Sequence, residues 1–275
     1  MIGAIVGDIV GSRFEFANYK SKKFFFFDPD CCFTDDTVVT CCVAESLMKS
    51  WEKDKFETLD KVAVDVFHSI GMWYPTCGFG GGFFKWMFSR NPVPYYSCGN
   101  GSAMRIGPVI DIARDIEEAK DLSYKITCIT HNHPEGIKGA EAVAVAGVLA
   151  KKGYTKNEIR RHIEKKYYDL DMSVKDWRAA TVGHGKEICQ IAVPQAFACF
   201  LEGTGFRDTI RNCISTGGDS DTVGAIAGAM AEQYWGVPAK VERQARMYLD
   251  EYLLDILDRF EDFKREYADQ ARMAV

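Results

Sequence analysis

Apolar residues recur at helical spacing along most of the chain, whereas the alternating pattern of a β-strand is sparse. Between residues 38 and 48 they follow steps of three and four, and Val62, Val66 and Ile70 repeat at every fourth position. Ala142 to Leu149 is an alanine- and valine-rich run long enough for a buried helix. Steps of three and four place side chains on one face of an α-helix. The pattern predicts a mainly α-helical protein.

Capping signals and prolines indicate where some of these helices begin. Thr155 to Glu158 has the pattern of a capping box and predicts a helix through Tyr167. Pro194 and Pro238 are interpreted as first-turn residues of helices that end near Gly203 and at the C-terminus. Residues 241–271 carry one amphipathic helical pattern. No linker or change of composition divides the chain, so we expect residues 1–275 to form a single domain.

Small residues are spaced so that two helices could pack closely. Gly3, Gly7 and Gly11 lie four positions apart, as do Gly224 and Gly228. Each set would give its helix a flat seam that another helix backbone can approach. Asp8 interrupts the first apolar run, and a carboxylate in such a place needs a partner. We therefore expect Asp8 to support a polar site nearby.

Composition and charge exclude several classes of protein. A chain of 275 residues with 47% hydrophobic residues can bury a large core. The net charge of −5 offers no basic field for a phosphate backbone, so nucleic acid is an unlikely partner. The ten cysteines lack the spacing of a disulfide framework, and no apolar run is long enough to span a membrane. We expect a cytoplasmic protein that is a monomer and has no membrane partner.

Two acidic clusters far apart in the sequence provide the candidate chemistry. Thr34 to Thr37 contains Asp35 and Asp36, and Asp219 to Thr222 contains Asp219 and Asp221. Either cluster alone could simply cap a helix, because carboxylates are favoured at helix N-termini. Together they supply oxygen ligands of the kind that magnesium or manganese prefers. Such a set could hold two ions roughly 3.5 to 4 Å apart.

Glycine-rich segments add a second possible ligand site. Gly78 to Gly82 and Gly99 to Ser102 are each followed by a sequence that favours a helix. Their main-chain N–H groups could bind a phosphate, although neither segment matches a P-loop or a dinucleotide fingerprint. The neighbouring aromatic residues could stack on a base or could belong to the core. Phe79, Tyr95 and Tyr96 are among the aromatic residues that could stack on a base.

Taken in order, these segments resemble the ADP-ribosylglycohydrolase family, which includes the dinitrogenase reductase-activating glycohydrolases and the ADP-ribosyl-acceptor hydrolases. The resemblance spans nearly the whole chain and retains both acidic motifs. The matching stretches are Gly7 to Ser12 with Glu15, Thr34 to Thr37, Gly78 to Phe83, Gly99 to Arg105, Thr130-His131 and Ser215 to Thr222.

The resemblance implies a fold, a cofactor and a set of site residues. The fold would be a compact, orthogonal, all-α multi-helix bundle with a dinuclear magnesium site at the base of a cleft. The metal ligands would be Thr34, Asp35, Asp36, Asp219, Asp221 and Thr222. The nucleotide would contact Gly78, Gly80, Gly82, Ser97, Gly99, Asn100, Gly101, Ser102 and His131.

The implied reaction is hydrolysis of the bond between ADP-ribose and an acceptor, either a modified serine or arginine side chain or a small conjugate. An oxocarbenium-like transition state requires a fixed ribose and an activated water. Asp35, Asp36 and Glu15 are the catalytic candidates, and Asp36 or Glu15 would accept the proton of that water. Two alternatives remain open: a catalytically silent ADP-ribose-binding relative, and a two-metal phosphohydrolase for another nucleotide.

Overall fold

Helices account for the regular structure of the protein in a computed structural model, which describes residues 1–180 and 187–273. Within these ranges there are fifteen helices and no strand, and one isolated antiparallel bridge joins Gly99 to Ile188. The prediction of an all-α fold is therefore confirmed.

The helices vary from single turns to more than six turns in length. In chain order they are α1 (Ile2–Ser12), α2 (Asp35–Asp54), α3 (Leu59–Gly71), α4 (Gly81–Met87), α5 (Gly101–Met104), α6 (Gly107–Ile112), α7 (Ile116–Cys128), α8 (Pro134–Lys151), α9 (Lys156–Lys166), α10 (Val174–Ala179), α11 (Cys189–Glu202), α12 (Phe206–Thr216), α13 (Ser220–Trp235), α14 (Ala239–Arg246) and α15 (Glu251–Met273).

Helix α13 lies at the centre of the bundle. It packs against α1, α8, α11 and α12, and its residues from Ser220 to Ala231 are all buried. Helix α1 is buried over almost its entire length as well, from Ile2 to Gly11. A helix that is apolar on every side is stable only when other helices surround it. The core is therefore built around the α1–α13 pair.

The glycines of α1 and α13 bring the two backbones into direct contact. A Cβ atom placed on Gly7 would lie 2.0 Å from the carbonyl oxygen of Gly224, and one placed on Gly3 would lie 2.3 Å from that of Gly228. These distances leave no room for any side chain. The predicted close approach of the two helices is confirmed, and it positions the residues that follow α1 beside the start of α13.

Some helix boundaries agree with the sequence and others differ. Thr155 forms the predicted capping box with Glu158 at the start of α9. Pro194 does not begin a helix but lies inside α11, which starts at Cys189. The amphipathic pattern of residues 241–271 is divided between α14 and α15, which are separated by residues 247–250. The pattern continues across this break because both helices bury their apolar faces against the same core.

The surface-exposed helices are amphipathic rather than uniformly apolar. Within residues 1–180 and 187–273, no helix is both long and apolar enough to cross a membrane.

Candidate active site

The first acidic cluster lies at the N-terminus of α2, where Asp8 of α1 holds it. Asp8 Oδ2 accepts hydrogen bonds from the main-chain N–H groups of Thr34 and Thr37, both at 3.0 Å, and another from the Thr37 hydroxyl. The Thr34 hydroxyl donates to Asp8 Oδ1 at 2.8 Å and accepts from the N–H of Asp36 at 3.3 Å. These bonds satisfy the free N–H groups at the start of the helix and fix the direction of Asp35 and Asp36.

The second acidic cluster follows a turn between α12 and α13 that requires glycine. Gly217 and Gly218 have φ angles of +70° and +75°, in the left-handed region. Gln195 of α11 donates hydrogen bonds to the Thr216 hydroxyl at 2.8 Å and to the Gly217 carbonyl at 2.9 Å. The turn leads directly into α13, so that its first residues point toward the start of α2.

The segment after α1 is bonded to this same turn. Asn18 Oδ1 accepts a hydrogen bond from the N–H of Gly218 at 3.3 Å. The Lys20 ammonium donates to the carbonyl of Thr216 and, at 3.0 Å, to that of Ala180. Glu15 belongs to this segment, so the loop that carries Glu15 is fixed to the turn that carries the second acidic cluster.

The two acidic clusters meet in one place. The Thr222 hydroxyl donates a hydrogen bond of 3.0 Å to Asp36 Oδ2 across a sequence separation of 186 residues. Glu15, Asp219 and Asp221 each offer a carboxylate oxygen, and these three oxygens lie within 4.8 Å of one another. Packing of α1 against α2 and α13 therefore joins carboxylates from three segments into one cluster.

Burial and mutual repulsion disfavour the charged form of these carboxyl groups. Burial, followed by the negative charges of Asp8 and Asp219, raises the pKa of Asp35 to about 8. Burial and nearby carboxylates also hold the pKa values of Asp36 and Asp221 well above the usual range. The pKa of Glu15 is raised to about 7 for the same two reasons, burial being the larger.

The cluster has the properties of a cation site. Asp36 Oδ1 is buried and has no hydrogen-bond partner among the residues that the structure describes. Within the described ranges, no lysine or arginine forms an ion pair with Asp35, Asp36, Asp219 or Asp221. Burying several carboxylates without a counter-charge is costly. A hard divalent cation would remove that cost, because it prefers an all-oxygen ligand set.

A cleft of about 250 Å³ lies over the cluster, and the glycine-rich segments form its walls. Helix α4 begins directly after Gly80, and α5 begins directly after Asn100. The Asn100 side chain donates a hydrogen bond of 2.6 Å to Asp219 Oδ2, which ties the second glycine segment to the acidic cluster. The space beside Gly80 and Gly81 is open, with no atom within 4 Å of a Cβ built on either residue. A ligand can therefore approach this main chain closely.

Most of the residues predicted from the sequence line this cleft. They are Glu15, Asp35, Asp36, Gly78, Gly80, Gly82, Ser97, Gly99, Asn100, Gly101, His131, Asp219, Asp221 and Thr222. Thr34 and Ser102 are the two that do not. The Thr34 hydroxyl is bonded to Asp8, as described above. The Ser102 hydroxyl donates to the main-chain carbonyls of Gly136 at 2.9 Å and Gly99 at 3.2 Å, so it stabilises the glycine segment from behind.

Further residues in the cleft were not predicted from the sequence. Arg105 and Glu187 contribute to the lining. Tyr95, one of the three aromatic residues named above as candidates for stacking on a base, also lies there. Arg105 follows the glycine-rich segment Gly99 to Ser102 by three residues, and this position could have predicted its place in the cleft. Glu187 has no such signal, because its place in the cleft depends on the bridge between Gly99 and Ile188.

Comparison with known proteins identifies the family. A model of the ADP-ribosylglycohydrolase family matches residues 1–271. The chain belongs to this family. It is therefore a hydrolase, as expected from the sequence, and hydrolases of this family depend on a metal that the acidic cluster could bind.

Curated relatives of the chain are distant in sequence. The ADP-ribosylhydrolase ARH3 of Mus musculus is 24% identical over 315 residues, which is 86% of this chain and 83% of the relative. The ADP-ribosylhydrolase ARH3 of Gallus gallus is 25% identical over 278 residues, covering 78% and 74% of the two chains.

A solved structure shares the fold. A chain described as an ADP-ribosylglycohydrolase-related protein complex aligns with a TM-score of 0.65 at 21% identity. The alignment covers 90% of this chain and 97% of that one. At this identity the likeness concerns the fold.

Proposed function

We propose that the protein is a magnesium-dependent hydrolase that cleaves the glycosidic bond between ADP-ribose and its acceptor. The acceptor would be a modified serine or arginine side chain or a small ADP-ribose conjugate. One observation carries the proposal: the acidic residues near positions 35 and 220 meet in a single cleft whose walls are the glycine-rich segments. Manganese would fit the same ligands.

Five residues are suited to hold the metal ions. Asp35 and Asp36 approach from the start of α2, and Asp219, Asp221 and Thr222 approach from the start of α13. Asp36 Oδ1 is available as a ligand because it has no hydrogen-bond partner in the described part of the chain. When bound, magnesium would supply positive charge for the ribose hydroxyls and lower the pKa of the attacking water.

The glycine-rich segments are suited to the nucleotide part of the substrate. The main chain of Gly80 and Gly81 is open to the cleft, and a pyrophosphate can approach glycine more closely than any other residue. His131 lies against the second segment, with Nε2 3.3 Å from a Cβ built on Gly101. This arrangement favours an anionic ligand held above the acidic cluster, with its ribose nearest the carboxylates.

Proton transfer requires a carboxylate near the attacking water. Asp36 is buried at the base of the cleft, whereas Glu15 is partly exposed at its side and lies next to Asp219 and Asp221. Either residue could accept a proton from a water positioned between the cluster and the ribose. We assign Asp36 and Glu15 as the candidate bases. Asp35 would bind the metal and offset part of its positive charge.

The test uses purified protein with serine- and arginine-ADP-ribosylated peptides, in magnesium and in EDTA. We expect free ADP-ribose to be released only with the metal, and Asp35→Ala or Asp221→Ala to abolish release in folded protein. Asp65→Ala is the control, because Asp65 is exposed on α3 and outside the cleft. Binding of ADP-ribose without turnover of any conjugate would indicate a silent relative instead. A phosphomonoester product would indicate a phosphohydrolase.

A further inference from the structure

Arg105 is a buried cation that forms no ion pair with a carboxylate within residues 1–180 and 187–273. Its side chain is 1% exposed, and Nη2 donates hydrogen bonds to the main-chain carbonyl of Ile126 at 3.2 Å and to the Thr130 hydroxyl at 2.8 Å. Ile126 lies in the last turn of α7, so the guanidinium sits at the negative end of a helix dipole. Burial lowers the pKa of Arg105 to about 10, which leaves it charged at neutral pH.

The Thr130 hydroxyl links this cation to His131. Thr130 Oγ1 lies 2.7 Å from His131 Nδ1. A guanidinium can only donate, so Thr130 Oγ1 accepts from Arg105 and its own proton is available for Nδ1. If Nδ1 carried a proton instead, the hydroxyl oxygen would receive two donors and its proton would need a third partner. The network therefore favours Nδ1 as the acceptor.

The other ring nitrogen of His131 faces the cleft. Nε2 lies 3.3 Å from a Cβ built on Gly101 and 3.4 Å from one built on Gly99. The ring is buried, and burial together with the nearby charge of Arg105 holds the pKa of His131 well below the usual range. A neutral ring that accepts at Nδ1 must carry its proton on Nε2.

We propose that Arg105 and Thr130 are positioning residues that hold His131 as the neutral tautomer with its Nε2–H directed at the Gly99–Gly101 turn. The turn and the histidine then present donors to the same side of the cleft. Their ligand would be an oxygen acceptor, either a phosphate oxygen or a ribose hydroxyl. The identity of that ligand rests on the proposed function, but the tautomer does not.

The tautomer can be measured directly in the free protein. Two-bond proton–nitrogen correlation spectra of protein labelled with ¹⁵N-histidine distinguish a protonated ring nitrogen from an unprotonated one. The His131 signals are identified by their absence from the spectrum of His131→Gln. We expect Nε2 protonated and Nδ1 unprotonated in the unmodified protein and in Thr130→Ser, which keeps the hydroxyl. Thr130→Val removes the donor to Nδ1 with little change of shape, so the second tautomer should appear.

Ligand affinity is the second readout. Isothermal titration with ADP-ribose should give a dissociation constant on the order of tenfold higher in Thr130→Val than in Thr130→Ser. The melting temperatures of both variants verify folding. A protonated Nδ1 in the unmodified protein would overturn the proposal, as would a Thr130→Val protein that keeps both the tautomer and the affinity. If ADP-ribose fails to bind a protein that shows the Nε2–H tautomer, the proposed function is wrong and the positioning role stands.

Discussion

Asp36 accepts a hydrogen bond of 3.0 Å from the Thr222 hydroxyl through one carboxylate oxygen, while its other oxygen is buried and unbonded within residues 1–180 and 187–273. The bonded oxygen links α2 to α13. The other oxygen is suited to bind a cation, because buried oxygen atoms in proteins are almost always bonded.

Without divalent cations, the protein should lose stability as the pH rises. The pKa values of Glu15 and Asp35 are raised to about 7 and about 8, so the folded state binds more protons than the unfolded state above about pH 4. Stability is then fully present near pH 4 and declines as the pH increases through 8. Melting temperatures in EDTA should fall across pH 5 to 8.5, by roughly 2–4 °C for each kcal/mol lost.

Magnesium should reverse this trend. Because it favours the ionised carboxylates, the gain in melting temperature on adding magnesium should be larger at pH 8 than at pH 5. A gain that is equal at both pH values would contradict a carboxylate site for the cation.

Asp36→Asn should make the metal-free protein more stable. The change removes a carboxyl group that must either bury its charge or take up a proton when the protein folds at neutral pH, which favours the folded state by on the order of 1 kcal/mol or more. Magnesium should then no longer raise the melting temperature, and hydrolysis should be lost. Asp65→Asn, at an exposed position of α3, is the matched control. If Asp36→Asn destabilises the metal-free protein, other groups of the protein already stabilise the Asp36 carboxyl group.

Lys20→Met should weaken metal binding without contacting the metal. Lys20 holds the carbonyls of Thr216 and Ala180, and so supports the turn that leads to the second acidic cluster. Loss of these bonds costs roughly 1–2 kcal/mol, equivalent to about a tenfold increase in the dissociation constant for Mn²⁺. Titration followed by the electron paramagnetic resonance signal of free Mn²⁺ measures it. Lys23→Met, an exposed position on the same segment, should leave the affinity unchanged.

Gly7→Ala should severely destabilise the fold. The new methyl group would lie 2.0 Å from the carbonyl oxygen of Gly224, and neither backbone can move without displacing its helix. We expect a loss of about 3 kcal/mol or more in urea-induced unfolding. Gly205→Ala is the control, because no atom lies within 4 Å of a Cβ built there. Equal stability of the two variants would mean that α1 and α13 can separate at little cost.

Local patterns in the sequence predicted much of the fold. The capping box at Thr155 and the four-residue spacing of Gly3, Gly7 and Gly11 depend on contacts within one or two helices, and both appear in the structure. Pro194 was assigned to a helix start because proline is common there, but tertiary packing extends α11 in front of it. No pattern in the sequence predicts the break between α14 and α15, because the apolar spacing continues through it.

The parts of the candidate site that lie in short sequence motifs could be predicted from the sequence. The acidic clusters and glycine segments were found in this way, although the family resemblance was needed to join them. Glu187 and the link from Arg105 to His131 through Thr130 were not found. Each depends on residues that are distant in the chain or on hydrogen-bond directions, and neither leaves a pattern in the sequence.

The glycine contacts between α1 and α13 also set the register of the two helices. Because the backbones touch at Gly3, Gly7 and Gly11, sliding α1 by one residue, about 1.5 Å, would drive a side chain into the main chain of α13. The distance between Asp8 and Asp221 is therefore set by the buried glycine contacts between the two helices. A substitution at Gly3 that still allowed folding would therefore shift the first acidic cluster relative to the second, although Gly3 itself lies outside the cleft.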